Sequence, residues 1–409
     1  MSYQVDIKLQ QSFKPEDYSN FEKIFKGFDR NKNGVMEKNE FLELLHALGY
    51  RDFKQEDAGK LMEGIELSDP NHMTFSEFLQ MMKKLVDKEG EIQIDSFKNK
   101  AGKAMVRISK GDNGMQFQTF SEEERTAYVK VINSSLADDP ICKKYLPIDP
   151  ESNEIFDRIK DGVILCKLIN KAQEGTIDER VINTKENMNI FQQVENLNLA
   201  ISAAKSIGLN VIGLNYDSIM NGKNFIMVLG LMWQVVKLVV LCNIQLKQHP
   251  ELIRLLNPGE QLSDLLKLSP EQLLLRWFNY HLKAAGYDKK ITNFSGDVKD
   301  SEKYTVLLNQ LNKDLCDKSA LDEPDKKKRA KKVIENSKKL GAESYITPAD
   351  IVAGNNKLNT LFVASIFNAY PGLDPPTEEE KYEAAKLLVM TLKEPEKKEL
   401  SECGLTHYH

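Results

Sequence analysis

Apolar residues recur along most of this chain at spacings of three and four, the period of a helix that buries one face. Phe21, Phe25 and Phe28, then Phe41 and Leu44, make two such faces on either side of a short polar stretch. Few stretches alternate apolar and polar residues as a half-buried strand would, so the pattern predicts an all-α fold. Polar, glycine-containing residues over 88–119 break the pattern, and two long helical segments follow, joined near 249–261. One run, FIMVLGLMWQVVKLVVLC over 225–242, is apolar on nearly every side. Gln234 and Lys237 fall inside it, and a lysine at the centre of a membrane-spanning helix costs roughly 2.5–3.5 kcal/mol. The run is read as a buried core helix, not a membrane span.

The two long segments look like two copies of one unit. FSEEERTAYVKVINSSL opens the first, with Ser121 and Glu124 spaced as a capping box. LSPEQLLLRWFNYHL opens the second, with Ser269 as cap, Pro270 in the first turn and Gln272 as box partner. Toward their ends the two overlay with a near-constant offset. Gly208 then faces Gly341, Gly222 faces Gly354, and Ile226 and Leu229 face Leu358 and Leu361.

Ahead of the repeats, the run FEKIFKGFDRNKNGVMEKNEFLELL holds D-x-N-x-N-G-x5-E, the calcium-loop pattern of an EF-hand. Calcium takes six to eight oxygens in a flexible shell. Asp29, Asn31 and Asn33 offer side-chain oxygens, Gly34 allows the sharp turn, and Val35 lends its carbonyl. Glu40 closes the loop with both carboxylate oxygens, and Glu37 acts through a water. With these acidic ligands the site falls in the sensor range, roughly 10⁻⁷ to 10⁻⁵ M.

EF-hands pair, and the spacing finds a second hand ending in MTFSEFLQMM. Its loop begins at Glu66, with Ser68 at position three and Glu77 at position twelve, but Pro70 and Asn71 stand where an oxygen ligand and a glycine belong. It is read as a structural partner whose Met73 backbone pairs with that of Met36. Between the lobe and the repeats, DSFKNKAGKAMVRISKGD reads as a basic amphipathic helix. Phe97, Ala101, Met105 and Ile108 form its apolar face, suited to the groove of the lobe in the same chain.

Composition narrows the function classes. A formal net charge of -5 on 409 residues gives no reason to expect nucleic acid. Hydrophobic residues at 41% and charged residues at 29% are the balance of a soluble globular protein. The five cysteines are scattered and never spaced as CxxC, so they read as buried thiols in a reducing, cytosolic compartment. MSYQVDIKLQ lacks the features of a signal peptide. No nucleophile elbow, metal-hydrolase or phosphate loop appears, and the six histidines have no ligand spacing, so the chain is not read as an enzyme. DKKKRAKK, over 325–332, reads as a solvated helix face rather than a nuclear signal.

Long ordered strings then carry a resemblance. FSEEERTAYVKVIN, DGVILCKLINKAQEGTIDERVIN, ENLNLAISAAKSIG, LSPEQLLLRWFNYHLKAAGY, ITNFSGDVKDSEKY and ITPADIVAGNNKLN resemble the fimbrins, also called plastins, up to about Leu373. The resemblance implies an EF-hand lobe followed by the first tandem pair of calponin-homology domains, which binds actin filaments on the cytoplasmic cytoskeleton. The implied contacts come from the helices over 121–136, 223–238 and 270–282, with Thr126, Lys130, Lys223 and Lys237 as candidate residues. Val131 stands where the family usually has a tryptophan, and one calcium loop is intact instead of two. Fimbrins continue into a second pair, whereas these residues carry one, so bundling would need a dimer.

The expected organisation is an EF-hand lobe with a minimal two-stranded link over 1–87, a connector over 88–119, calponin-homology domains over 120–248 and 262–373, and a tail over 374–409 with one amphipathic helix. The expected function is calcium-regulated actin-filament binding. The alternative is a calcium-sensing adaptor whose repeats bind other proteins.

Overall fold

The computed structural model describes residues 5–50, 61–99, 102–111, 114–221 and 225–391. The chain divides into two compact units, residues 1–236 and 237–409. No described helix is long and apolar enough to cross a membrane.

The first unit opens with helices joined by a short antiparallel pair of strands. Helix α1 (Pro15–Phe28) starts on a proline and buries Phe21, Ile24, Phe25 and Phe28. Strand β1 (Val35–Glu37) leads into α2 (Lys38–Ala47), capped by the reciprocal hydrogen bonds of Glu37 and Glu40. Strand β2 (His72–Thr74) leads in the same way into α3 (Phe75–Glu89), capped by Thr74 and Glu77. β1 and β2 are antiparallel with Met36 opposite Met73, the register the spacing predicts. Rings of Phe25, Phe75 and Phe78 meet edge-on or stacked within this core.

The connector departs from expectation. Residues 97–108 do not form a basic amphipathic helix. Strands β3 (Glu91–Asn99), β4 (Gly102–Gly111) and β5 (Gly114–Ser121) build a three-stranded antiparallel sheet instead. Phe97 lies in β3, Met105 and Ile108 lie in β4, and Ala101 is outside the described residues. The physical reason is a competing period of two. Ile92 and Ile94, then Val106 and Ile108, are β-branched pairs two apart, which favour a pleated surface over a helix. The β4–β5 register runs from Ala104 opposite Ser121 to Gly111 opposite Gly114.

The first repeat follows directly. Its helices include α4 (Glu122–Ser135), α5 (Val163–Ala172), α6 (Ile190–Ser206), α7 (Tyr216–Met220) and α8 (Phe225–Leu241), the last crossing into the second unit. Val131 is buried, and Tyr128 stacks on Trp233 at 5.8 Å. Gly162 has φ +79° before α5, and a Cβ there would sit 2.7 Å from the Leu197 nitrogen. That close approach seats the buried Asn196, whose amide donates to the carbonyls of Asp161 (3.0 Å) and Asn183 (2.8 Å). Within α8, Ile226, Val228, Leu229, Leu231, Met232, Val235 and Val236 are buried, as a core helix requires.

The second unit repeats the plan. It holds α9 (Pro270–Ala284), α10 (Glu302–Leu311), α11 (Lys326–Lys339), α12 (Pro348–Ala353) and α13 (Asn356–Ala369). Gly208 and Gly341 both take left-handed φ just after α6 and α11, as the overlay of the repeats requires. Leu358 and Leu361 are buried like their counterparts Ile226 and Leu229. The indole N–H of Trp277 donates to the Pro371 carbonyl at 2.7 Å, holding the exit of the repeat. Lys326, Lys327 and Lys328 of α11 are exposed, while Ala330, Val333 and Ile334 face inward. A further helix, α14 (Glu378–Thr391), follows.

Candidate functional site

The loop between α1 and β1 is organised by its own side chains. Asp29, 1% exposed, accepts the N–H groups of Asn33 (3.2 Å) and Gly34 (3.0 Å) on its two oxygens. Asn31 accepts from the Asn33 amide and Asn33 from the Val35 amide, both at 3.0 Å, the short turns these residues favour. Gly34 has φ +91°, and Lys32 also takes the left-handed region. Glu40, 8% exposed, accepts from Arg30 N–H (2.8 Å) and Glu37 N–H (2.9 Å). Glu37 accepts the side-chain amides of Asn31 (3.0 Å) and Asn33 (3.1 Å) on one oxygen.

Predicted ligands Asp29, Asn31, Asn33, Glu37 and Glu40 are thus drawn into one loop, and Val35 opens the strand beside it. The described residues contain no group of three or more His, Cys, Asp and Glu side chains arranged as a metal site. The loop's own set is mixed: carboxylates, amide oxygens and a backbone carbonyl, the oxygen donors a hard cation accepts. Each carboxylate oxygen offers more than one lone pair to donors or cations. On these grounds the residues fit calcium.

The second loop is closed differently. Glu77 accepts Ser68 N–H (2.6 Å) and Ser68 Oγ–H (2.8 Å) on one oxygen and Thr74 N–H (2.7 Å) on the other. Burial pushes the Glu77 carboxyl up, but these hydrogen bonds outweigh it and hold the group below the usual glutamate range. Asp69 is turned to His72 Nδ1 (2.8 Å) and to Asn71 N–H (2.8 Å). His72 is raised and Asp69 lowered, chiefly by hydrogen bonds, in an exposed pair. Of the doubtful ligands, Ser68 and Glu77 satisfy each other, and Glu66 is exposed.

The connector sheet lies against the N-terminal helices. Ile94, Val106 and Ile108 are buried in the same apolar cluster as Phe21, Phe25 and Phe78, and Phe117 meets Phe21 edge-on at 5.1 Å. Buried Asp17 of α1 accepts the Met115 N–H at 3.2 Å. Ile92 and Ile94 are opposite Ile108 and Val106, so Gln93, between them and opposite Arg107, is on the other face. There Gln93 Oε1 accepts the N–H of Phe225, the first residue of α8, at 3.1 Å. The Phe225 ring stacks on Phe156 with centroids 4.0 Å apart. One face of the sheet touches the lobe and the other touches the start of the first repeat's last helix. Sequence reasoning missed Gln93, because only the register of a strand reveals its direction.

The candidate filament contacts are spread. Lys130 is exposed on α4, but Thr126 donates its hydroxyl to the Pro150 carbonyl at 3.1 Å. Lys237 forms an ion pair with Glu271 of α9, and Lys223 is outside the described residues. The largest exposed apolar side chains of the first unit lie elsewhere, with Phe191 at 76% and Ile212 at 87%. Ile212 sits in a loop, where helical periodicity carries no signal.

The sequence matches the calponin homology (CH) domain family over residues 122–239 and 268–372. It is 38% identical to fimbrin of Saccharomyces cerevisiae over 403 residues, covering 92% of this chain and 62% of that protein. It is 37% identical to Plastin-1 of Homo sapiens over 380 residues, covering 88% and 59% respectively. Among solved structures, the actin-crosslinking core of Schizosaccharomyces pombe fimbrin matches with 43% identity and a TM-score of 0.55, over 63% of this chain and 52% of that one. The chain spans about three fifths of the length of these two curated relatives.

Proposed function

The chain belongs to the calponin homology family and is homologous over most of its length to fimbrins and plastins, and from that premise we propose that it binds actin filaments under calcium control. It is a binding device of the cytoplasmic cytoskeleton and performs no chemistry on its partner. The paired repeats supply the filament surface, with Lys130 and the exposed Phe191 and Ile212 as contact candidates.

Asp29, Asn31, Asn33, Val35, Glu37 and Glu40 would hold the calcium. Bound calcium supplies two positive charges at the mouth of the loop. Glu37 then has reason to give up the amides of Asn31 and Asn33. Any shift of α1 against α2 reaches the sheet through Phe21 and Phe25, which share a core with Ile94, Val106 and Ile108. The observation that carries this reading is the two-faced sheet, apolar against the lobe and joined by Gln93 to the Phe225 amide.

High-speed cosedimentation with actin filaments, with calcium and with a chelator, tests both halves. Pelleting in both conditions with different apparent affinities is the expected result. Equal affinities would remove calcium control. No pelleting in either would leave the adaptor reading, in which the repeats bind other proteins.

A further inference from the structure

Helix α14 carries two apolar stripes. One lies toward its own unit, where Ala384 is buried and Leu387 and Leu388 are half-buried. Arg254 pins the first turn, donating from Nη1 and Nη2 to the Glu380 carboxylate, both at 2.8 Å, and from Nη2 to the Pro375 carbonyl at 3.0 Å. The second stripe points away. Tyr382, Ala385 and Val389 are all exposed and follow Glu378 at steps of four, three and four, the spacing of a helix-pairing seam.

We propose that this seam is a self-association surface on which two copies of the chain pair antiparallel along α14. The seam residues alternate in size so that a two-fold axis between residues 383 and 384 sets Tyr382 of each copy against Ala385 of the other. Large then meets small in both central layers, the isologous arrangement of a two-fold dimer. Charge selects the same orientation. Glu379 and Lys386, both exposed, flank the seam on one side, and in the antiparallel pair each Lys386 lies beside Glu379 of the other copy. A parallel pair would instead bring Lys386 beside Lys381, like charge against like. The stripe is only about 17 Å long at 1.5 Å per residue, so pairing is weak and concentration-dependent.

The pairing itself does not depend on what the repeats bind. Its consequence, two filament-binding pairs in one particle, rests on the function proposed above. Sedimentation equilibrium of the full chain without actin separates the two. The native chain is expected to rise toward twice the monomer mass with concentration. Glu379→Lys alone places lysine against Lys386, and Lys386→Glu alone places glutamate against Glu379, so each is expected to stay monomeric where the native chain associates. An equimolar mixture of the two variants restores both attractive pairs and is expected to recover the dimer, as is the double variant E379K/K386E. That recovery also shows that the single variants are folded. A native chain that stays at monomer mass, single variants that associate like it, or a mixture that stays monomeric would each overturn the proposal.

Discussion

The two loops of the lobe share a closing glutamate, a capping box and antiparallel strands, and differ in the donors that reach that glutamate. In the first, Glu40 accepts one backbone amide on each oxygen, from Arg30 and Glu37. In the second, the hydroxyl and amide of Ser68 and the amide of Thr74 converge on Glu77. Protein donors engage the closing glutamate of both loops, and the added Ser68 hydroxyl is what sets the second apart.

The sharpest way to break this contrast is calcium-linked stability. The native chain should gain about 2.7 kcal/mol at a calcium concentration one hundred times the dissociation constant. Glu40→Gln should lose that gain, whereas Glu77→Gln should keep it. Urea unfolding with and without calcium reads both, and a gain abolished by Glu77→Gln would make the second loop a metal site.

A smaller effect isolates the second loop. Removing the acceptor in Glu77→Ala breaks its hydrogen bonds from Ser68 and half-buried Thr74 to a charged carboxylate and should cost roughly 1.5–3 kcal/mol, independent of calcium. The folded carboxyl lies below its ordinary value of 4.5, so its contribution is fully present above that value and is lost as pH falls through the folded pKa. Acid unfolding of Glu77→Gln should therefore show a shallower stability loss below about pH 4.5 than the native chain. An identical acid limb would assign the pH dependence elsewhere.

The smallest expected effect tests how the first loop reaches the repeats. Gln93→Ala removes one acceptor from the Phe225 amide, worth about 0.5–1.5 kcal/mol. Calcium titration should be unchanged, while the difference in filament affinity between calcium and chelator shrinks. A full difference in the variant would exclude this hydrogen bond as the link.

Legibility followed the range of the interactions. The pairing of the two N-terminal loops was readable because the spacing alone sets Met36 opposite Met73. The repeats were readable because capping boxes at Ser269 and buried rows such as Leu358 and Leu361 are local. The connector was not. Phe97, Ala101, Met105 and Ile108 happen to fall at helical spacing, while pairing of Ile92 with Ile108 and of Ile108 with Phe117 decides the structure across chain separations that periodicity does not see. The ion pair of Lys237 was hidden for a related reason, since its partner Glu271 lies over thirty residues away.

The two-faced sheet also bears on how the first unit comes apart. Amides in β4 are held by strands on both sides, and Ile108 is fully buried between lobe and strand neighbours. Opening the lobe strips cover from β3 and β4, and opening the sheet removes a partner from the start of α8. Lobe, sheet and first repeat are thereby joined as one cooperative folding element, so proton exchange at Val106 and Ile108 should track the global unfolding of that element and not a local fraying of the connector.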